Sequence, residues 1–281
     1  MTDKELYISW KNGSLTSSQA WLRLTGNNAS EETARKYMNG LKHYLHKNDE
    51  NYAHRKVVGV FGDTHIPFHH PNYLQFVKDT FEKYQVTDIV CTGDIFDFHA
   101  ISRFQSEASA KSSYDELDMA IESGKEYTDT FPNVIVTKSN HDSIPYRQAA
   151  TLGLGERFLK KFNELMELPP TWVLKTAHIM DDVLYKHGEN CGGKDGAINA
   201  AINERMSTVI GHQHSFAGCK YVANHRDIIF GMNVGCGIDV DAYAFAYGKH
   251  AKYRPILGCG IVYSSDYAQF VPMGLEYFRG D

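Results

Sequence analysis

The stretch VVGVFGDTHIPFHH, Val57 to His70, decides how the rest of this chain is read. Val57, Val58, Val60 and Phe61 make a short run of β-forming apolar residues, and it closes on Gly62-Asp63-Thr64-His65. A brief apolar run bounded by glycine and polar residues reads as a buried strand. This strand delivers a carboxylate and an imidazole, two residues apart, to its own end. One Asp-x-His is common and decides nothing alone, so its meaning rests on partners elsewhere in the chain.

Partners recur at the ends of further apolar runs. Asp88–Cys91 leads into GDIFD, with Asp94 and Asp97. Val134–Thr137 leads into SNHD, with Asn140, His141 and Asp142. Val183–Tyr185 leads to KHG, with His187, and Thr208–Ile210 leads to GHQH, with His212 and His214. Helical segments, Tyr73–Tyr84 and Tyr114–Tyr127 among them, lie between several of these runs, and alternation of strand and helix implies a layered α/β sheet. Ligands of such sheets bind beyond the carboxyl ends of the strands, where five successive strands here carry Asp, Asn or His. From Gly218 onward, strands such as Asp227–Met232 and Ile256–Tyr263 follow without long helices, which suggests a second, more antiparallel sheet. Pro145–Pro170 reads as a helical interruption able to cap a cleft. The Ser/Ala-rich Ser106–Ser113 reads as a mobile loop.

The donors are oxygen and imidazole with no thiolate, a mixture suited to Mn²⁺, Fe or Zn²⁺ rather than Ca²⁺ or Cu(I). Their number exceeds the needs of one tetrahedral site. Two divalent metal ions sharing a carboxylate would use them all, and such pairs clamp both oxygens of an in-line phosphoryl displacement.

The order D-x-H, G-D-x-x-D, N-H-[DE], a lone His and G-H-x-H resembles the calcineurin-like metallophosphoesterases over Val57 to His214. That resemblance implies a four-layer α/β/β/α sandwich with the metals at the sheet edge, and a two-metal phosphoesterase. It implies that Asp63, His65 and His214 bind one ion, that Asn140, His187 and His212 bind the other, and that Asp94 bridges them. It further implies that His141 is the general acid and that Asp97 orients it. Mn²⁺ is the expected metal, with Fe or Zn as alternatives. Ser139 departs from the pattern, standing where the family usually has glycine. His69, His70 and His99 are candidates for substrate contact, and Lys194, Arg103 and Arg147 for phosphate contact, against the plainer reading of each as an ordinary loop or surface residue.

Composition narrows the setting. The net charge is −5 over 281 residues, so the whole chain is not a general polyanion binder. Trp10 to Lys47 is different, with Lys11, Arg23, Arg35, Lys36, Lys42 and Lys47 against Glu31 and Glu32. Two helices are expected there. The first runs from about Thr16 to Leu24. The second follows Ser30 as N-cap, with Glu31 and Glu32 suited to its positive end and Ala34, Tyr37, Met38, Leu41, Tyr44 and Leu45 on one face. His46 to Lys56 reads as a linker, giving an N-terminal helical segment at 1–50 and a catalytic domain at 51–281. A short helix pair with a basic face resembles a helix-turn-helix DNA reader, against the plainer alternative of a packing hairpin or dimerisation arm. Its combination with this type of phosphoesterase is similar to some bacteriophage-encoded members.

Five cysteines without CxxC spacing argue for a reducing compartment. No apolar run approaches the ~18 residues of a membrane span. The expected location is therefore the cytosol, that of a bacterial host if the protein is phage-encoded. The first choice of activity is a DNA nuclease or nicking enzyme. The alternatives are a phosphomonoesterase of the protein phosphatase kind, a nucleotide phosphodiesterase, and a DNA-binding regulator with a silent phosphatase domain.

Overall fold

The computed structural model describes residues 6, 9, 14–25, 30, 31, 34, 56–102, 111–242, 253–274 and 277. The chain divides into two compact units, Met1–Arg55 and Lys56–Asp281.

In the larger unit, β1 (Val58–Phe61) is the centre of a six-stranded sheet. It runs parallel to β2 (Asp88–Cys91), which is followed by parallel β3 (Val134–Thr137) and β4 (Trp172–Lys175). On its other side β1 pairs antiparallel with β10 (Gly258–Ser264), and β10 with β11 (Tyr267–Pro272). The second sheet has the order β5 (His178–Met180), β6 (Val183–Tyr185), β7 (Ser207–Ile210), β9 (Ile228–Asn233), β8 (Gly218–Ala223). Its middle strands β6, β7 and β9 are parallel, and its two edge strands antiparallel.

This corrects the expectation for the C-terminal strands. They do not form a sheet of their own: β8 and β9 complete the second sheet, which already begins at β5, while β10 and β11 return to the first. The donor-bearing strands are likewise not successive, since β4 and β5 intervene between SNHD and KHG.

The period of two along each strand separates the layers. Val58 and Val60 face the other sheet, packing in one cluster with Val209, Phe230 and Met232. Phe61 faces the opposite way into a second cluster, with Phe76, Phe81 and Tyr127 of the covering helices. Helix α2 (Tyr73–Lys83) buries Tyr73, Phe76, Val77, Thr80 and Phe81, one stripe at helical spacing. Helix α3 (Ser113–Thr130) buries Glu116, Ala120, Gly124 and Tyr127 in the same manner. Its N-cap Ser112 accepts from the Asp115 N–H at 3.1 Å, so the end of the Ser/Ala-rich segment opens a helix instead of a loop; residues 103–110 lie outside the described residues. Helices α4 (Ile144–Thr151) and α5 (Phe162–Leu165) account for the helical interruption. On the outer face of the second sheet, α6 (Gly196–Glu204) lies so close to β9 that a Cβ at Gly231 would collide with the Ala197 backbone. The layers are therefore helix, sheet, sheet, helix, the α/β sandwich expected.

The smaller unit has a helix, α1, at Ser17–Thr25. Thr16 and Gln19 cap it reciprocally: the Gln19 N–H donates to Thr16 Oγ1 (3.2 Å) and the Thr16 N–H to Gln19 Oε1 (2.9 Å). Glu31 accepts from the N–H groups of Ser17 and Ser18, both at 2.9 Å, so it caps this first helix. The Ser18 side chain foremost, together with these N–H bonds and the Ser17 side chain, holds its carboxyl down at about 2. Ser30 O accepts from the Ala34 N–H at 2.9 Å, one helical turn at the expected start of the second helix. Arg35, Lys36 and Lys42 lie outside the described residues. Among the described residues no helix is long and apolar enough to cross a membrane.

Candidate metal centre

The loops after β1, β2 and β3 meet those after β6 and β7 at one edge of the sandwich. Asp63, His65 and His214 bring one donor atom each to within 4.8 Å of one another, and so do Asp94, His187 and His212. Asp94 joins the two groups. Its Oδ1 accepts the His141 backbone N–H (2.9 Å), which leaves Oδ2 turned between two imidazoles, 3.2 Å from His187 Nε2 and 3.7 Å from His65 Nε2. Asn140 Oδ1 stands 2.8 Å from His187 Nε2, and His212 Nδ1 3.1 Å from the same atom. His214 Nε2 is 3.3 Å from Asp63 Oδ1. All seven residues expected as metal ligands are thus gathered in one place.

The side chains are turned by bonds on their far atoms. His187 donates from Nδ1 to Thr92 O at 2.8 Å, which turns Nε2 toward Asp94. His65 Nδ1 lies 2.6 Å from Asp97 Oδ1; a carboxylate only accepts, so that nitrogen carries the proton and Nε2 faces the centre. Asp97 has a second task, since His141 Nδ1 lies 3.2 Å from the same oxygen and 2.9 Å from the Asp97 carbonyl. It orients His65 and His141 together, where the resemblance implied His141 alone.

The backbone is strained where the donors stand. Asp63, His65, Asp94 and His212 have φ of 51, 50, 49 and 67°. This left-handed region costs non-glycine residues on the order of 1–3 kcal/mol each, and such strain gathers at functional sites. It is held by hydrogen bonds between loops, from the Asp63 N–H to Gly93 O (2.9 Å) and from the His65 N–H to Asp94 O (3.0 Å). The His212 N–H donates to Asp63 Oδ1 at 2.8 Å. Gly211 precedes it because a Cβ there would strike the Asp63 carboxylate.

Ser139 is a working part of this frame. Its Oγ accepts the Asp94 N–H (2.8 Å) and donates to Asp142 Oδ2 (2.6 Å). Asp142 in turn accepts from the N–H groups of Phe96 (3.1 Å) and Ile95 (3.3 Å). The serine thus braces the GDIFD loop through two side chains. Reading the sequence assigned neither residue a role; the polar side chain in place of glycine was the available signal.

Electrostatics follow from burial. Burial lowers His65, and it lowers His212 with help from His187. Burial alone would also lower His187, but the Asp94 charge overrides it and lifts it to about 10. Burial opposes ionisation of Asp94 as well, yet His187 holds its carboxyl well below the usual range. His141 is carried against its burial to about 9 by the Asp97 hydrogen bond and the Asp94 charge. The cluster therefore stabilises cationic charge at its centre, and that charge can equally be a metal ion's. The fit to metal is seen in one further atom: Asp63 Oδ2 is buried without a hydrogen-bond partner among the described residues. Oxygen and imidazole donors around it match a divalent first-row ion.

The remaining candidates separate. Arg147 is anchored, its Nη2 donating to Asn140 O at 2.6 Å. His69 packs its ring against Tyr127 (5.5 Å), and burial lowers it to about 4, as for a core histidine. His70 Nδ1 accepts from the Asn72 N–H at 3.2 Å. His99 is buried, with Nδ1 4.0 Å from Asp97 Oδ2. Arg103 lies outside the described residues. The cleft over the donors, about 390 Å³, is also lined by Gln213, Phe216 and Tyr253, which reading the sequence did not single out.

The family model of the calcineurin-like phosphoesterases matches residues 56–232. The chain belongs to this family. That region is a metal-dependent phosphoesterase domain, and the donors gathered at the sheet edge lie within it. Among solved structures, the chain is similar to Vps29 of Cryptosporidium parvum, at 10% identity and a TM-score of 0.40 over 78% of this chain and 97% of that one. It is similar also to the zinc complex of Vps29 from Entamoeba histolytica, at 13% identity and a TM-score of 0.36 over 77% and 98%. No conclusion about function rests on these distant likenesses. No curated protein sequence is significantly similar to the chain.

Proposed function

We propose that this protein is a two-metal phosphodiesterase that cleaves or nicks DNA. The observation that carries the reading is Asp94, whose Oδ2 lies between His65 Nε2 and His187 Nε2 while its other oxygen is pinned by the His141 N–H. Asp63, His65 and His214 would hold one ion, Asn140, His187 and His212 the other, and Asp94 both. Bound there, two divalent ions supply charge that neutralises phosphate oxygens and a template for in-line displacement.

The protein's own groups do the rest. Asp97 engages His141 at Nδ1, which leaves Nε2 to give a proton to the departing oxygen. His141 lines the cleft where that oxygen would leave. The basic run from Lys11 to Lys47 supports DNA as the polymer, since lysine and arginine bound to phosphate supply sequence-independent affinity. The more acidic remainder of the chain favours a second reading, a phosphomonoesterase or nucleotide phosphodiesterase acting on a small substrate.

Supercoiled plasmid, bis(p-nitrophenyl) phosphate and p-nitrophenyl phosphate, each with Mn²⁺ and with chelator, separate the readings. Metal-dependent nicking and diester turnover are expected. Replacing Arg35, Lys36 and Lys42 together by Ala should weaken plasmid binding. It should also flatten the salt dependence by about one log–log unit for each phosphate no longer neutralised. Turnover of the monoester alone would transfer the protein to the second reading.

A further inference from the structure

Beside the metal cleft lies a second cavity, of about 330 Å³, and Ser215 and Phe216 line both. Its size falls in the range of roughly 300–1,000 Å³ typical of small-ligand sites. Ala197, Ile198 and Ile256 give it apolar walls, and Phe216 belongs to the lining of this cavity and of the metal cleft alike. The Phe216 ring also meets Tyr253 on the cleft side, with centroids 5.1 Å apart. The helix carrying Ala197 and Ile198 is seated firmly, because Gly231 lets its backbone come into contact with β9.

The rim is cationic and tied to the metal centre. The loop Cys191–Asp195 bonds to the residue between His212 and His214, the Gly193 N–H donating to Gln213 Oε1 at 3.2 Å. Lys194, on that loop, is exposed at the cavity's rim. Lys220 is committed instead, its Nζ donating to Asp195 Oδ1 (2.6 Å) and Lys194 O (3.1 Å). Lys194 is an exposed lysine of this rim.

We infer that this second cavity takes the nucleoside flanking the scissile phosphate, with its base against Phe216 and Lys194 beside the next phosphate of the chain. The inference rests on the phosphodiesterase reading and names its substrate side. A flat base suits apolar walls with one aromatic ring, since stacking on aromatic side chains is tolerant of sequence. A cation at the rim suits a polymer that carries a second phosphate. Continuity through Phe216 joins the base position to the reacting one.

The test is inhibition of the Mn²⁺ holoenzyme, acting on whichever nitrophenyl ester it turns over, by thymidine 5′-monophosphate and by inorganic phosphate. The parent protein should bind the nucleotide about tenfold more tightly than phosphate, in line with one stacked base. Ala197→Phe, which fills the cavity, should close that gap, and so should Phe216→Ala, which removes the ring and creates no clash. Lys194→Ala should weaken a thymidine dinucleotide several-fold more than the mononucleotide. Equal inhibition by nucleotide and phosphate in the parent, or a gap that survives Phe216→Ala, would overturn the inference. Failure of the phosphodiesterase reading appears elsewhere, as absence of plasmid and bis-ester cleavage, and leaves the inhibition gap measurable.

Discussion

The two sheets bring unlike chemistry to one centre. Every carboxylate of the site, Asp63, Asp94 and Asp97, stands at the end of a strand in the six-stranded sheet. The five-stranded sheet contributes imidazoles alone, His187, His212 and His214. The six-stranded sheet gathers His65, Asp97 and His141 by itself, but the two other groups span both sheets: Asp63 and His65 meet His214, and Asp94 meets His187 and His212. The site therefore exists only once the sheets have packed through Val58, Val60, Val209, Phe230 and Met232. Two hydrogen bonds cross the same seam, from His187 Nδ1 to Thr92 O and from the His212 N–H to Asp63 Oδ1. Dividing these two donor groups between the sheets makes metal binding report on the packing of two layers.

The largest test of this division removes the carboxylate that both donor groups share. Asp94→Asn should abolish measurable turnover and lower metal content while circular dichroism stays unchanged, because Asp94 Oδ2 is the carboxylate oxygen that faces both His65 and His187. Near-normal activity on any phosphate ester would break the shared-carboxylate reading.

His141 sharpens it next, as a residue of the first sheet that belongs to neither group of three expected to hold an ion. His141→Ala should cost ~10²–10⁴ in rate on alkyl esters, as for a lost general acid. The loss on nitrophenyl esters, whose leaving group needs little protonation, should be much smaller. Equal losses on both would make His141 a positioning group.

Metal removal probes the seam itself. Ligands that bind only the folded state stabilise it by about 2.7 kcal/mol at a hundredfold excess over Kd. For a domain of this size that is about 5–10 °C in Tm. Chelation should lower Tm by that order in a thermal melt, and Asp94→Asn should respond less. An unchanged melt would show that ions do not tie the sheets.

The smallest effect concerns the stiffness of the carboxylate side. Ser139→Ala leaves the buried Asp94 N–H and Asp142 without the hydroxyl that joins them. A loss of about 1–2 kcal/mol in stability is expected, the usual cost of a buried group left unsatisfied. Turnover should fall a few-fold, by displacement of Asp94. A variant equal to the parent in both melt and rate would make the serine a passive replacement for glycine.

Much of the centre is legible in the chain alone. Strands at Val58–Phe61, Asp88–Cys91, Val134–Thr137 and Val183–Tyr185 declare themselves by β-branched runs that end in glycine or polar residues, and each donor sits within a few residues of such an end. Local chemistry fixes these features, because a buried parallel strand has to be apolar and its exit loop carries the polar groups. The stripe Tyr73, Phe76, Val77, Thr80, Phe81 is equally local, set by the helical period.

What stayed hidden depended on residues far apart in the chain. No periodicity tells β10 to pair with β1, two hundred residues away, instead of with β9, since an apolar strand has the same pattern in either sheet. Asp97 could be paired with His141 from motif order, but its closer approach to His65 follows from how the β1 and β2 loops cross. Glu31 lies at the start of one helix in sequence and caps another in space. Ser139 has meaning only with Asp94 and Asp142 on either side of it. The sequence by itself determined which donors the protein has and that they stand at strand ends, because short-range sterics and hydrophobicity decide where a strand begins and stops. Only the tertiary structure decided which donors stand within reach of one another, which oxygen of Asp94 faces inward, and that a cavity opens beyond Phe216, because those distances are set by two sheets packing face to face.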